Sequence, residues 1–183
     1  VDADGKVVLG GVFSSINGTP RPGLARLLST GAVDPSFDPG AGPNAAVYCV
    51  ALQRDGRILI GGLFTSYNGS TPAARIARML RNGSFDSSFA PGTGFNSWVY
   101  TIVLQGDGKI LAGGDFTTYN GGARNRLARL NIDGSVDGGF NTGTTANNWI
   151  YAITWQPEGR LTAAGGFINF NGTALNRLVR LHT

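Results

Sequence analysis

One cysteine, one histidine and two lysines stand in 183 residues. Cys49 alone excludes an internal disulfide, and with His182 as the sole histidine a Cys/His zinc site is excluded as well. Charged residues make up only 14% of the chain, yet 42% is apolar, so it can bury a core and lacks the composition of a disordered segment. No apolar run approaches the roughly 18 residues that cross a bilayer, and no charged-then-apolar targeting segment opens the sequence, so no membrane span is predicted. Basic residues exceed acidic ones by four, and thirteen of the fifteen are arginine. They recur at a regular interval rather than gathering on one stripe, so nucleic acid is not a predicted partner.

What is abundant is glycine, at 29 residues about twice the average usage, and repetition. Asp4-Gly5-Lys6-Val7-Val8-Leu9-Gly10-Gly11 returns at Asp55 and at Asp107, and more loosely from Glu158, at intervals of 51, 52 and 51 residues. Asn-Gly follows each time, at Asn17, Asn68, Asn120 and Asn171, and then a Leu/Ile-Ala/Val-Arg-Leu/Met motif centred on Arg26, Arg78, Arg129 and Arg180. Asp-x-x-Phe ends at Phe37, Phe89 and Phe140, and an apolar stretch closes at Gln53, Gln105 and Gln156. Each unit reads as four short strands joined by tight Asp-Gly turns, one longer Asn-Gly link, and a Gly/Pro/Asn-rich crossing to the next unit. The Gly-Gly pair marks a place where a side chain collides with a neighbouring backbone. No stretch longer than a turn has helical spacing. The predicted fold is all-β, a β-propeller-like array of four-stranded antiparallel blades with about 3.5 blades in the chain. It forms one repeat domain, 1–183, with units at about 1–46, 47–97, 98–148 and 149–183.

Asp-Gly-Lys-Ile-Leu-x-Gly-Gly-x-Phe, Tyr-Asn-Gly, Arg-Leu-Ala-Arg-Leu, Asp-Gly-Ser-x-Asp-x-x-Phe and the apolar strand ending in Gln together resemble the delta-60 repeat family. The resemblance implies a propeller-like fold in a bacterial, secreted or surface protein, and it brings no catalytic residues and no cofactor. The chain departs from the pattern where Ala164-Gly165 replaces the glycine pair, and where Gly23 stands in the slot of Arg75, Arg126 and Arg177. An isolated arc leaves unpaired edges, so the chain reads as a fragment of a larger propeller or as a protomer completed by another chain.

Eight of the eleven acidic residues fall in structural slots: Asp4, Asp55, Asp107, Asp133 and Glu158 in turns, and Asp34, Asp86 and Asp137 in Asp-x-x-Phe. Only Asp2, Asp38 and Asp115 remain for a carboxylate pair, and no Gly-x-Ser-x-Gly elbow occurs, so no catalytic residue and no enzyme activity are predicted. Asp2-x-Asp4-Gly5 lacks the later ligands of a calcium loop and reads as a turn, so no metal is predicted. Asn-x-Ser/Thr triplets begin at Asn17, Asn68, Asn82 and Asn171, each also an Asn-Gly turn. If the Asp-Gly turn before the fourth strand has three loop residues, Arg129 falls opposite Asp137, Arg78 opposite Asp86 and Arg26 opposite Asp34, as structural, bidentate ion pairs. The longer loops gather at one end of the array, with Trp98, Trp149, Asn96, Asn147, Tyr67, Tyr119, Asn68 and Asn120 as candidate contacts for a ligand. The expected function is a non-catalytic, exported module for protein–protein interaction, adhesion or surface assembly. Its partners are a protein or the remaining blades. The alternatives are a glycan-binding, lectin-like propeller, or part of a carbohydrate-active enzyme whose catalytic residues lie outside the chain.

Overall fold

The computed structural model describes residues 1–2, 4–69, 71–140, 143, 145–156 and 158–182, and among them the chain forms strands, bridges and turns without a helix. Three antiparallel sheets follow one another. Their inner, middle and outer strands are Val47–Leu52, Ile58–Gly62 and Ile76–Met79; Val99–Leu104, Ile110–Gly114 and Leu127–Leu130; and Ile150–Gln156, Arg160–Gly165 and Leu178–His182. Before them stands a two-stranded sheet of Val7–Gly10 with Leu24–Leu27. The middle strands Ile58–Gly62 and Ile110–Gly114 are buried at every position, as expected where both faces of a sheet are covered.

The Asn-Gly link forms a small hairpin of its own in every unit, such as Thr118–Tyr119 with Gly122–Ala123. Asn17, Asn68, Asn120 and Asn171 have φ between 47° and 51°, and the glycines after them between 75° and 80°. Two successive left-handed residues define the tight turn that Asn-Gly favours.

The fourth strand of the expected unit shrinks to one bridge per unit: Leu27 with Val33, Met79 with Phe85, and Leu130 with Val136. The turn before it has three loop residues. Asn131 N donates to Ser135 O at 2.8 Å, Asp137 N to Arg129 O at 2.9 Å, and Gly134 takes φ 90°. The strand stops at the aspartate because its side chain folds back on the chain. Asp34 Oδ1 accepts from Ser36 N at 2.9 Å and Asp86 Oδ1 from Ser88 N at 3.0 Å, so the backbone turns instead of extending.

Units are stacked through the glycine pair. A Cβ at Gly61 would lie 2.8 Å from Val99 Cγ1 and 3.0 Å from Ile102 Cδ1, and one at Gly113 would lie 2.8 Å from both Ile150 Cγ2 and Ile153 Cδ1. The first glycine is therefore the seat of the next unit's inner strand. One apolar cluster accordingly joins Leu59, Ile76 and Phe95 to Val99, Ile102 and Phe116 of the following unit. The second glycine serves its own inner strand: a Cβ at Gly62 would meet Ala46 O at 2.1 Å, and at Gly114 or Gly165 the carbonyl of Trp98 or Trp149 at 2.0 Å. Opposite this pair the inner strand carries an extra residue, with register shifts between Val47 and Cys49, Val99 and Thr101, and Ile150 and Ala152. The bulged residues are Tyr48, Tyr100 and Tyr151. A bulge re-aims the side chain it displaces.

Gly114→Ala is expected to destabilise the protein by about 3 kcal/mol, because the new methyl meets a backbone carbonyl. Gly106→Ala, which meets nothing within 4 Å, should stay within about 0.5 kcal/mol of the parent. Denaturant titration of the two variants measures the contrast.

Candidate functional site

The repeated Arg and Asp lie side by side. Arg26 Nε is 2.8 Å from Asp34 Oδ2, and Arg78 and Arg129 are each 2.7 Å from Asp86 and Asp137. The contact uses one N–H of the guanidinium, where a bidentate pair was expected. Asp34 Oδ1 and Asp86 Oδ1 are already held by Ser36 and Ser88, and Asp137 Oδ1 by Gly139 N. The remaining guanidinium N–H groups go elsewhere. Arg26 Nη1 donates to Arg81 O at 2.6 Å and Arg78 Nη1 to Ile132 O, both on the next unit. Each guanidinium also lies over the phenylalanine of its own motif, 5.0 Å from the Phe37 and Phe89 centroids and 4.5 Å from that of Phe140. A second cation shares each Oδ2: Lys6 at 2.9 Å, Arg57 at 3.5 Å and Lys109 at 2.8 Å. These second cations were missed, although the Asp-Gly-Lys/Arg motif carries them in register.

Hydrogen bonds from Lys109 and Arg129, against the opposing effect of burial, lower Asp137 to about 2. Burial raises Asp34 and Asp86, but the hydroxyls and cations beside them outweigh it and hold both below the usual range. A depressed carboxyl stabilises the fold fully above its unfolded value near 4 and loses that contribution as pH falls through its folded value. Urea titrations between pH 5 and pH 2 should show stability falling, and Asp137→Asn should remove its share of the slope. Asp86, 4% exposed beside Arg78 at 2%, is fully committed, so Asp86→Asn should cost about 3 kcal/mol at pH 7.

Six of the eight candidate contact residues turn out to hold the loops together. Tyr67 and Tyr119 are buried, with hydroxyls donating to the carbonyls of Gly83 and Gly134, so neither ring faces solvent. Asn68 Oδ1 accepts from Gly42 N at 3.0 Å and Asn120 Oδ1 from Thr93 N at 3.1 Å. Asn96 Oδ1 accepts from the amides of Thr117 and Thr118, and Asn147 Oδ1 from those of Ile168 and Asn169. Irregular loops leave backbone donors without strand partners, and these carboxamides meet that need. Of the Asn68 triplet, Ser70 lies outside the described residues.

Trp98, 40% exposed, and the half-buried Trp149 remain at the surface, and the bulges add three rings that sequence spacing does not reveal. Tyr48 and Tyr151 are 44% and 54% exposed. Ring centroids run Tyr48 to Tyr100 at 5.6 Å and Tyr100 to Tyr151 at 4.7 Å, with Trp98 at 6.0 Å from Tyr100 and Trp149 at 5.8 Å from Tyr151. Five aromatic side chains thus form one continuous stripe across three units at the loop end. Burial first, then the neighbours Tyr151, Asp115 and Tyr48, push the Tyr100 phenol up to about 12 against the pull of Arg126, so it stays neutral and can donate a hydrogen bond.

Arginines flank the stripe. Arg126 Nη1 bonds Asp115, whose amide donates to Trp98 O at 2.9 Å. Arg177 Nη1 donates to Gly166 O at 2.9 Å, and Gly166 lies beneath the Trp149 indole, where a Cβ would sit 2.3 Å from Nε1. Arg75 Nη1 reaches Phe95 O, on the crossing to the next inner strand, at 3.1 Å. All three have left-handed backbones, φ 65°, 65° and 67°, and Gly23 takes φ 65° in the same slot. The departure at Gly23 is therefore the residue best suited to that geometry.

At the opposite end a cavity of about 550 Å³ opens between the second and third units, lined by Leu52, Gln53, Leu104, Gln105 and Ile132 among others. The carboxamide oxygens of Gln53 and Gln105 are buried there without a hydrogen-bond partner. Among the described residues no three His, Cys, Asp or Glu side chains are grouped so as to hold a metal ion. Burial pushes the Cys49 thiol up to about 12, so it remains protonated.

Successive antiparallel sheets seated face to face on glycine pairs define a propeller-type repeat protein. The chain belongs to the family described as domain of unknown function (DUF5122) beta-propeller, which matches residues 3–37, 53–89, 105–140 and 156–183. No curated protein matches the chain. The matched blocks cover the middle and outer strands and the Asp-x-x-Phe motifs. All five rings of the stripe fall in the intervals between them.

Proposed function

We propose that this chain is a non-catalytic binding module of an exported bacterial propeller protein of the delta-60 type, serving adhesion or assembly at the cell surface. The aromatic stripe carries this reading. Large rings left in solvent lose the stabilisation that burial brings, and here the fold spends a bulge in each of three consecutive inner strands to present one. Indole and phenol rings offer stacking faces with a polar tip, the chemistry of a contact surface rather than of proton transfer. The tight turns at the other end are closed by their own aspartates, Asp55 accepting from Arg57 N and Asp107 from Lys109 N, and Trp155 at that end packs against the apolar cluster of its unit.

The test is saturation binding of the purified chain to a panel of immobilised polysaccharides and extracellular-matrix proteins. The account expects at least one saturable interaction, weakened at least about tenfold by the double variant Trp98→Ala, Tyr151→Ala with its melting temperature preserved. Saturation on no member of the panel, or binding that the double variant keeps, contradicts it.

A further inference from the structure

We infer that the ligand of the aromatic stripe is an acidic polysaccharide, a chain of pyranoses bearing carboxylates; this rests on the binding role proposed above and adds its chemical class. Charge is the first argument. The loop-end segments 11–23, 39–46, 62–75, 91–98, 114–126, 141–149 and 165–177 carry Arg21, Arg75, Arg124, Arg126 and Arg177 against Asp115 alone, since Asp38 lies beside the Asn82-Gly83 turn at the other end. An excess of four positive charges, equal to the chain's net charge, therefore sits at the end that displays the rings. In the rest of the chain the aspartates of the Asp-Gly turns and of Asp-x-x-Phe nearly balance the basic residues.

Conformation is the second argument. A non-glycine residue at φ near +65° is strained, and Gly23 shows that the slot folds without a side chain. Three units nonetheless place arginine there. The structural return is small, since among the described residues the one hydrogen bond to protein that the Arg75 and Arg177 side chains each make goes to a backbone carbonyl, at 3.1 and 2.9 Å. Neither has a carboxylate partner among the described residues, and Arg177 is exposed. A guanidinium has five N–H donors in a planar fork that matches a carboxylate, so most of that capacity faces outward beside Trp149.

Shape selects the sugar. The rings stand 4.7 to 6.0 Å apart along the Tyr48, Tyr100, Tyr151, Trp98 and Trp149 contacts named above, tilted or edge-on to one another rather than stacked in parallel. Tilted, half-exposed rings instead offer broad surfaces to the C–H faces of successive pyranoses, while the neighbouring arginines take their carboxylates.

The deciding experiment measures binding of the parent chain and of Arg177→Gly to alginate, to carboxyl-reduced alginate, to dextran and to single-stranded DNA. Melting temperatures are read alongside. The proposal expects saturable binding to alginate that weakens at least about tenfold in Arg177→Gly and in about 0.5 M NaCl, weak or no binding to the reduced polymer and dextran, and a variant as stable as the parent. Equal binding by Arg177→Gly, equal affinity for the reduced polymer, or tighter binding to DNA overturns it. If dextran or a matrix protein docks on the stripe and alginate does not, the ligand class is wrong while the binding role stands. If nothing in either panel binds, both fall.

Discussion

Close approach at the paired glycines, of side chains to the first and of a backbone carbonyl to the second, governs this fold. The first glycine of each pair leaves room for the branched side chains of the next inner strand, Val99 and Ile102 on Gly61, Ile150 and Ile153 on Gly113. The second lets the carbonyl before the bulge approach to a distance that any Cβ would block. One dipeptide thus serves two neighbours, one on each side. Its first member fixes how units stack, and its second permits the bulge that turns Tyr48, Tyr100 and Tyr151 away from the sheet. Scaffold and surface stripe rest on the same constraint.

The arginines of the outer strands add a second link. Arg26 and Arg78 each tie the aspartate of their own unit, a carbonyl of the next and the ring of their own phenylalanine, so one side chain connects a turn, a neighbour and an aromatic cap. Burying such a group is costly unless its donors are met. Here Arg78 meets Asp86, Ser88 Oγ and Ile132 O while only 2% exposed. Through Ile132 O it also ties the turn of its own unit to that of the next.

Much of the scaffold could be read from the chain. Turn chemistry is local, so Asp-Gly and Asn-Gly specified their reversals, and a three-residue turn put Arg129 across from Asp137. The end of the fourth strand was less legible, because Asp34 and Asp86 draw in the amide of a serine two residues on, and nothing in an Asp-x-x-Phe pattern says whether the chain extends or turns. The surface was read least well. Tyr67 and Tyr119 precede Asn-Gly, which marks an exposed turn, yet their rings pass beneath the loop to the carbonyls of Gly83 and Gly134. Conversely, Tyr100 sits inside a run of strand-forming residues, where alternation assigns it to a covered face. A one-residue bulge reverses that assignment and leaves no mark on composition or spacing.

The account therefore turns on whether the first glycine of the pair is the seat of the following unit. A double-mutant cycle in stability between Gly113→Ala and Ile153→Ala tests it most directly, since a Cβ at Gly113 would lie 2.8 Å from Ile153 Cδ1. The prediction is strong coupling, with the cost of Gly113→Ala falling by at least about 1 kcal/mol once Ile153 is shortened. Costs that simply add would mean that the two residues do not meet, and would contradict the stacking on which the stripe depends.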